Sequence, residues 1–485
     1  MARKSVAKNY IYNLIFQLLT VVTPLITTPY VSRVLGAKNL GIFGYTFSIV
    51  TYFVMFASLG ITLYGQREIA YVQDDQEKQS KVFWELMIIK TVTAALTLMV
   101  YWFVFCRHGQ YAEYYAILTL EILSAWLDVS WYFQGIEDFS KPVIRNVIIK
   151  VLGLILIFVF VRTKNDLWKY FLVYVLADLL GNATLWFYVP RYLKMVPLHQ
   201  LHCLKRVIPV VSLFFPQVAT QIYTVLDRTM VGNITHDMNQ VSYYDQAQKI
   251  VKAVLLIVIS AGTVMSSRIA NCYANDDKEG MKHYLNESVH MVWLTAIPFI
   301  FGIIAVSDIF VPWYYGPGYG PVKPLMCATT PILLFIGFSN ITGTQYLIQV
   351  GRENQYTASI VAGACINFCL NWILISHIGT IGAVIATLIA EFSITAIQMW
   401  FVRDEISVKD VLKPAWKYLI SGLVMFIVVF WIERNMHAAA FLTLLTGILA
   451  GAVVYIFCLV ILRDRFSIGI LNMVKQKLTR TKTTE

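Results

Sequence analysis

Several charged side chains fall inside or at the ends of long apolar runs, and the chemistry of this chain has to be sought among them. Arg33 and Arg228 stand near the ends of two such runs, and Lys150 lies well inside a third. Lys249 and Lys252 are three residues apart, hence on one face of a helix. Glu121, Asp128, Asp178 and Glu391 are enclosed by apolar sequence as well. A charge at the centre of a membrane-spanning helix costs roughly 2.5–3.5 kcal/mol on insertion scales, so it normally faces a polar cavity or a partner. Arginine's planar fork suits phosphate oxygens. Intramembrane carboxylates mark proton or cation pathways, or they neutralise neighbouring lysines. Plainer roles stand beside these. Arg33 and Arg228 are within snorkelling reach of headgroups, Lys249 and Lys252 suit interfacial anchoring, and Lys150 is placed to pair with Asp128 or Asp178. Lys90 and Arg145 lie nearer an edge, where snorkelling is favoured. Gln17, Gln217, Gln221 and Gln345 offer hydrogen bonds either to hydroxyl groups or to neighbouring helices.

The elements that must position these residues follow from composition. Of 485 residues, 58% are hydrophobic and 14% charged, with mean hydropathy +0.63, against about 45–50% and 25% in soluble domains. This excludes a soluble enzyme, a disordered chain and a coiled coil. Continuous apolar runs of about 20 residues, rather than alternation, exclude a transmembrane barrel. The runs predict about fourteen transmembrane helices, near 10–31, 40–64, 84–106, 111–133, 142–162, 167–190, 207–232, 247–270, 288–312, 324–350, 355–376, 378–402, 415–433 and 440–462. The first is too long for a signal peptide and contains Pro24 and Pro29, so it reads as a retained span. Of the 39 Lys and Arg, 26 fall at the amino terminus, in the even-numbered connections and in the tail, which predicts that both termini are cytoplasmic. The net charge of +11 therefore reads as an orientation signal rather than a nucleic-acid surface. The loops are too short to fold a catalytic domain. The seven cysteines show no metal-ligand spacing, and no GxxxxGK[ST] loop occurs, so neither metal nor cofactor is expected.

An internal repeat organises the spans. Gly60, Asp74, Asp75 and Glu85 recur as Gly262, Asp276, Asp277 and Glu287, each 202 residues on, with Arg67 and Arg268 between them. Six spans per repeat is an even number, so both halves enter the membrane from the same side as parallel repeats. The predicted architecture is an all-α polytopic membrane protein. It has an N-lobe at 1–200 (spans 1–6), a C-lobe at 201–405 (spans 7–12), two extra C-terminal helices at 406–465, and a cytoplasmic tail at 466–485. A basic cavity is expected between the lobes, with Arg33 and Arg228 at equivalent places.

Several motifs resemble one family in the same order along residues 8–465. They are Pro29-Tyr30-Val31-Ser32-Arg33-Val34-Leu35-Gly36, Trp131-Tyr132-Phe133-Gln134-Gly135, Leu226-Asp227-Arg228-Thr229-Met230-Val231-Gly232, Gly343-Thr344-Gln345, the pair Asn367 and Asn371, and Gly379-Thr380-Ile381-Gly382-Ala383 leading to Glu391. Together they resemble the polysaccharide-transport, Wzx-type lipid-linked oligosaccharide flippases of the MOP exporter superfamily. That resemblance implies a bacterial plasma (inner) membrane protein that is not an enzyme. It would move an undecaprenyl- or other polyprenyl-pyrophosphate-linked oligosaccharide to the outer leaflet by alternating access. Its partners would be membrane lipids and the polysaccharide assembly machinery. Arg33, Arg228, Lys150, Lys249 and Lys252 are the expected substrate-binding cations; Glu121, Asp128, Asp178 and Glu391 are the expected coupling or charge-pair acids. The alternatives are a drug or other lipid exporter of the same superfamily, which would favour an acidic cavity, and a membrane-embedded polymerase, which would need a sizeable outer loop.

Overall fold

The computed structural model describes residues 6–138, 140–260, 262–436 and 438–481, and Gln17, Gln217 and Gln221 lie outside the residues whose side chains are described. Every regular element is helical among the described residues. Two compact units divide the chain, Met1–Ser242 and Tyr243–Glu485.

The first unit holds α1 (Val6–Ser58), α2 (Ile61–Tyr71), α3 (Gln76–Tyr101), α4 (Ala112–Leu127), α5 (Ser130–Gly135), α6 (Ser140–Phe160), α7 (Leu167–Trp186), the short α8 (Val189–Tyr192) and α9 (Cys203–Thr235). At 1.5 Å per residue the 53 residues of α1 are roughly 80 Å long, more than two crossings of a 30 Å hydrocarbon layer. The helix is broken at Gly36, whose φ of 78° and ψ of 171° belong to a region that essentially only glycine occupies. At one end of the unit Trp131, Tyr132 and Phe133 pack with Phe83, Ile61 and Leu185 in a fully buried cluster. Gly65 admits the Trp131 ring so closely that a Cβ there would lie 2.4–2.9 Å from ring atoms, and a side chain would displace it.

The unit extends through α9 because that helix is bonded to α1, α2 and α3. Thr229 Oγ1 lies 2.9 Å from Ser48 Oγ, and Tyr45 donates its hydroxyl to Asn233. Near the start of α9, Arg206 donates Nε to Glu85 Oε2 at 2.6 Å and NH1 to Glu68 Oε2 at 2.6 Å.

The second unit takes in α10 (Met238–Ile259), α11 (Gly262–Ala274), α12 (Lys278–Tyr315), α13 (Val322–Thr329), α14 (Ile332–Ser339), a π-helical segment Asn340–Leu347, α15 (Glu353–Ile378), α16 (Thr380–Phe401), α17 (Val408–Leu412), α18 (Ala415–Asn435), α19 (Ala440–Ile461) and α20 (Arg465–Thr481). The repeated sequence residues do the same local work in each unit. Asp75 caps α3 by accepting from Glu77 N and Lys78 N at 3.1 and 3.0 Å, and Asp277 caps α12 by accepting from Gly280 N at 2.8 Å.

Eleven of the described helices are long and apolar enough to cross a membrane, or up to twelve if the bent pair α10 and α11 is one span. The sequence expectation of about fourteen counts two spans within α1 and one within α9. The break at Gly36 splits α1 over both of the first two predicted spans, while α9, the seventh, runs through residues whose side chains are not described. The chain is an all-α, multi-pass membrane protein.

Candidate functional site

Arg145, Lys150, Glu121 and Asp178 of the first unit gather on three neighbouring helices. Asn182 on α7 donates Nδ2 to Ser124 O at 3.0 Å and to Ser124 Oγ at 2.9 Å on α4, and Trp186 Nε1 donates to Leu127 O at 2.8 Å. Helix α6 lies against α7 as well. Arg145 donates NH1 to Asn182 Oδ1 at 2.6 Å and Nε to Asn146 Oδ1 at 3.0 Å. A guanidinium, two amides and a hydroxyl thus join α4, α6 and α7 into one polar seam inside an apolar bundle. Buried polar groups are tolerated when they satisfy one another in this way.

Four predicted residues lie along this seam. Lys150 is half-buried, with Asp178 as its electrostatic partner. Glu121 lies in electrostatic range of Asp178, and its Oε2 is buried with no hydrogen-bond partner among the described residues. Asp128 sits at the break between α4 and α5. It accepts from Ser130 N at 2.9 Å through Oδ1, while its carbonyl accepts from the Lys90 ammonium at 2.6 Å. Lys90 is only 1% exposed, so it is a buried joint between α3 and α4 rather than a snorkelling residue.

Arg33 and Arg228 occupy different settings. Arg33 is exposed one turn before the Gly36 break, and its NH1 donates to Pro29 O of its own helix at 3.1 Å. Arg228 is half-buried on α9 and lies within electrostatic range of Tyr174 on α7. Adjacent Asp227 is buried and acts on Tyr52 of α1.

In the second unit Lys249 forms an ion pair with Asp245, one turn earlier, at 2.9 Å, while Lys252 is exposed. Glu391 lies on the buried face of α16. Gln345 accepts from Ser288 Oγ at 2.7 Å and donates to Asn340 Oδ1 at 3.0 Å, so it ties the π-helical segment to α12. An apolar cavity of about 580 Å³ runs between α12, α18, α19 and α20, lined among others by Pro298, Phe299, Met425, Gly451 and Ile470.

Reading the sequence alone set Arg145 at the membrane edge and missed its role. The structure turns it inward because Asn146 and Asn182 present amide oxygens to it. Polar residues in otherwise apolar spans, Ser124 and Asn182 among them, were the available signal.

These helices define a multi-pass membrane protein in which charged and polar side chains join three helices of one unit. The family model described as polysaccharide biosynthesis protein matches residues 6–269, and the MatE model matches residues 213–373. The chain belongs to the polysaccharide biosynthesis protein family. It is 23% identical over 406 residues, 82% of this chain and 97% of the relative, to a putative O-antigen transporter of Escherichia coli. Among solved structures it resembles lipid II flippase MurJ in an inward closed conformation, with a TM-score of 0.73 at 17% identity, covering 94% of this chain and 99% of that one. It also resembles an inward-facing multidrug resistance MATE family transporter of the MOP superfamily, with a TM-score of 0.65 at 14% identity, covering 80% and 94%. The fold is that of this superfamily.

Proposed function

We propose that this protein is a flippase that carries a polyprenyl-diphosphate-linked oligosaccharide from the inner to the outer leaflet of the bacterial plasma membrane by alternating access. The observation that carries the reading is the charged seam of α4, α6 and α7, which places Arg145 and Lys150 within an apolar unit. A diphosphate needs cations where the lipid offers none, and a guanidinium and an ammonium supply them. The apolar cavity between α12, α18, α19 and α20 suits an alkyl chain, which supports a lipid as the cargo. The names of the relatives, an O-antigen transporter and a lipid II flippase, point to the same class.

In this reading spans 1–6 (1–200) and 7–12 (201–405) are the moving lobes, 406–465 supplies the extra helices, and both termini with the 466–485 tail are cytoplasmic. Arg33, Arg228, Lys150, Lys249 and Lys252 bind the headgroup. Lys249 does so after exchanging its Asp245 partner for the ligand. Asp128 and Glu391 serve as charge-pair or structural acids. Membrane lipids and the polysaccharide assembly enzymes are the partners implied. Two negative charges leaving an inside-negative cell gain roughly 4.6 kcal/mol per 100 mV, enough to bias the step outward.

The test is translocation of a fluorescent lipid-linked oligosaccharide in proteoliposomes. Arg33→Ala and Arg228→Ala should insert normally yet lose at least about tenfold in rate, a loss of about 1.4 kcal/mol in transition-state stabilisation. Normal rates in both variants would overturn the assignment.

A further inference from the structure

We propose that Tyr174, backed by Phe43 and Phe47, is the platform on which the sugar attached directly to the diphosphate stacks its apolar C–H face. The proposal rests on the reading above that the seam of α4, α6 and α7 receives the diphosphate, and it adds a sugar subsite one helical turn along α7.

Helix α7 is exposed on two separate faces. Leu180 and Phe187 are exposed, and at seven residues apart they lie about 20° from each other around the helix. That apolar face suits hydrocarbon. The other exposed pair is Tyr174, at 37%, and Asp178, midway along the helix. Four residues apart, they share a face about 120–160° away from Leu180. A carboxyl at the depth of a span faces a polar cavity or a partner rather than lipid, so this second face opens on a polar interior. Glu121 of α4 and Arg228 of α9 are within electrostatic range of the Tyr174 hydroxyl, which places it among helices of its own unit.

The Tyr174 ring is held by neighbours that are themselves packed. Phe43 and Phe47 of α1 have their ring centres 5.5 Å apart, and Tyr174 meets them edge-to-face at 5.3 and 5.2 Å. Phe43 also meets the buried rings of Tyr170 and Phe171 at 4.8 and 5.0 Å, and Tyr114 of α4 stacks on Phe171 at 4.8 Å. Aromatic rings thus join α1, α4 and α7 in one layer, and Tyr174 is the exposed α7 member of it. A ring fixed in advance loses little freedom when a ligand settles on it, which favours binding.

The platform stands at the right distance from the cations. A Cβ built on Gly153 would lie 3.8 Å from the Ala177 Cβ, and one on Gly181 would strike Ile149, so Lys150 of α6 is level with Asp178. Arg145 bonds Asn182, one turn along α7 in one direction, and Tyr174 is one turn, about 6 Å, in the other. A diphosphate held by Arg145 and Lys150 therefore brings a sugar on its far side to the level of Tyr174, within the length of one pyranose ring. The C–H bonds on one face of a pyranose are apolar and weakly positive, whereas the face of an aromatic ring is negative, so the two surfaces attract while the sugar hydroxyls stay hydrated. Such a contact reads the apolar face of the sugar rather than its hydroxyl pattern.

The probes are citronellyl-diphosphate N-acetylglucosamine and the same diphosphate diester carrying a methyl group in place of the sugar, which has equal charge. Calorimetry of the full chain in nanodiscs at pH 7 should show the sugar-bearing ligand binding about tenfold tighter, the upper end of what one aromatic stack contributes. Tyr174→Phe keeps the ring and should keep that preference. Tyr174→Leu keeps apolar bulk without a π face and should reduce the preference to within about twofold, while the methyl diester binds all three proteins alike. Equal affinity of the wild type for the two ligands overturns the platform alone, as does an undiminished preference in Tyr174→Leu or a loss of methyl-diester binding in that variant. No binding of either ligand to the wild type overturns both this proposal and the reading of the seam as a headgroup site.

Discussion

Replacing Arg206 tests how the start of α9 is held to the helices before it. Its guanidinium donates to Glu85 Oε2 and Glu68 Oε2 at 2.6 Å each and to the Tyr64 hydroxyl at 3.1 Å. The Glu85 side chain is 7% exposed and Arg206 21%. Arg206→Ala leaves Glu85 with the His202 amide, at 2.8 Å, as its remaining hydrogen-bond donor. Removing one partner of a buried ion pair destabilises by about 3–5 kcal/mol. Water reaches the partly exposed guanidinium, so the expected loss is at the lower end, about 3 kcal/mol, or roughly 150-fold in the unfolding equilibrium. Arg206→Lys should recover only part of this, because an ammonium cannot span both carboxylates as the planar fork does. Equilibrium unfolding in mixed detergent–SDS micelles, run as a double-mutant cycle with Glu85→Gln, isolates the pair. A coupling energy below about 0.5 kcal/mol would show that the two side chains act independently and refute the argument.

Two further outcomes are expected. Gly36→Ala introduces no steric clash, since nothing lies within 4 Å of the added Cβ, but the required backbone conformation should cost about 1–3 kcal/mol; a thermal-unfolding scan and a translocation assay both equal to wild type would show that the break in α1 is not needed. Asp464 accepts from Ser467 N, Ser467 Oγ and Tyr418 OH at 2.9, 2.7 and 3.0 Å. Burial alone would raise its pKa, but those bonds and the nearby His290 outweigh it and hold the carboxyl below its ordinary 3.8. Its contribution to stability is therefore complete above pH 3.8 and lost as the pH falls through the lower folded-state value. Hydrogen exchange of 465–473 should accelerate in the wild type only below that pH, and at neutral pH in Asp464→Asn; equal protection in the variant at neutral pH would refute the anchor.

The helices were largely legible in the sequence because a span is announced by some 20 apolar residues whatever it packs against. The repeat was legible for a similar reason: Asp75 and Asp277 are needed by helix starts, a local requirement that leaves its mark at fixed positions. The polar seam was less so. Which way Arg145 points depends on Asn182, 37 residues away, and no local pattern records that meeting. The ion pair of Lys249 with Asp245, four residues earlier, follows from helical spacing alone. The π-helical segment Asn340–Leu347 left no mark in composition, because the same apolar residues serve an α-helix equally well.

The apolar cavity of the second unit has one wall unlike the rest. Ser467, Ile470 and Leu471 of α20 line it, yet that helix carries Lys475, Lys477 and Arg480 beyond Ile468, Ile470 and Leu471, the composition of a helix that rests on a charged lipid surface. A helix of that composition is suited to being held by anionic headgroups, and with it this wall of the cleft. Micelles without an anionic headgroup layer would let this wall shift, and lipid occupancy measured in them would understate what a bilayer sustains.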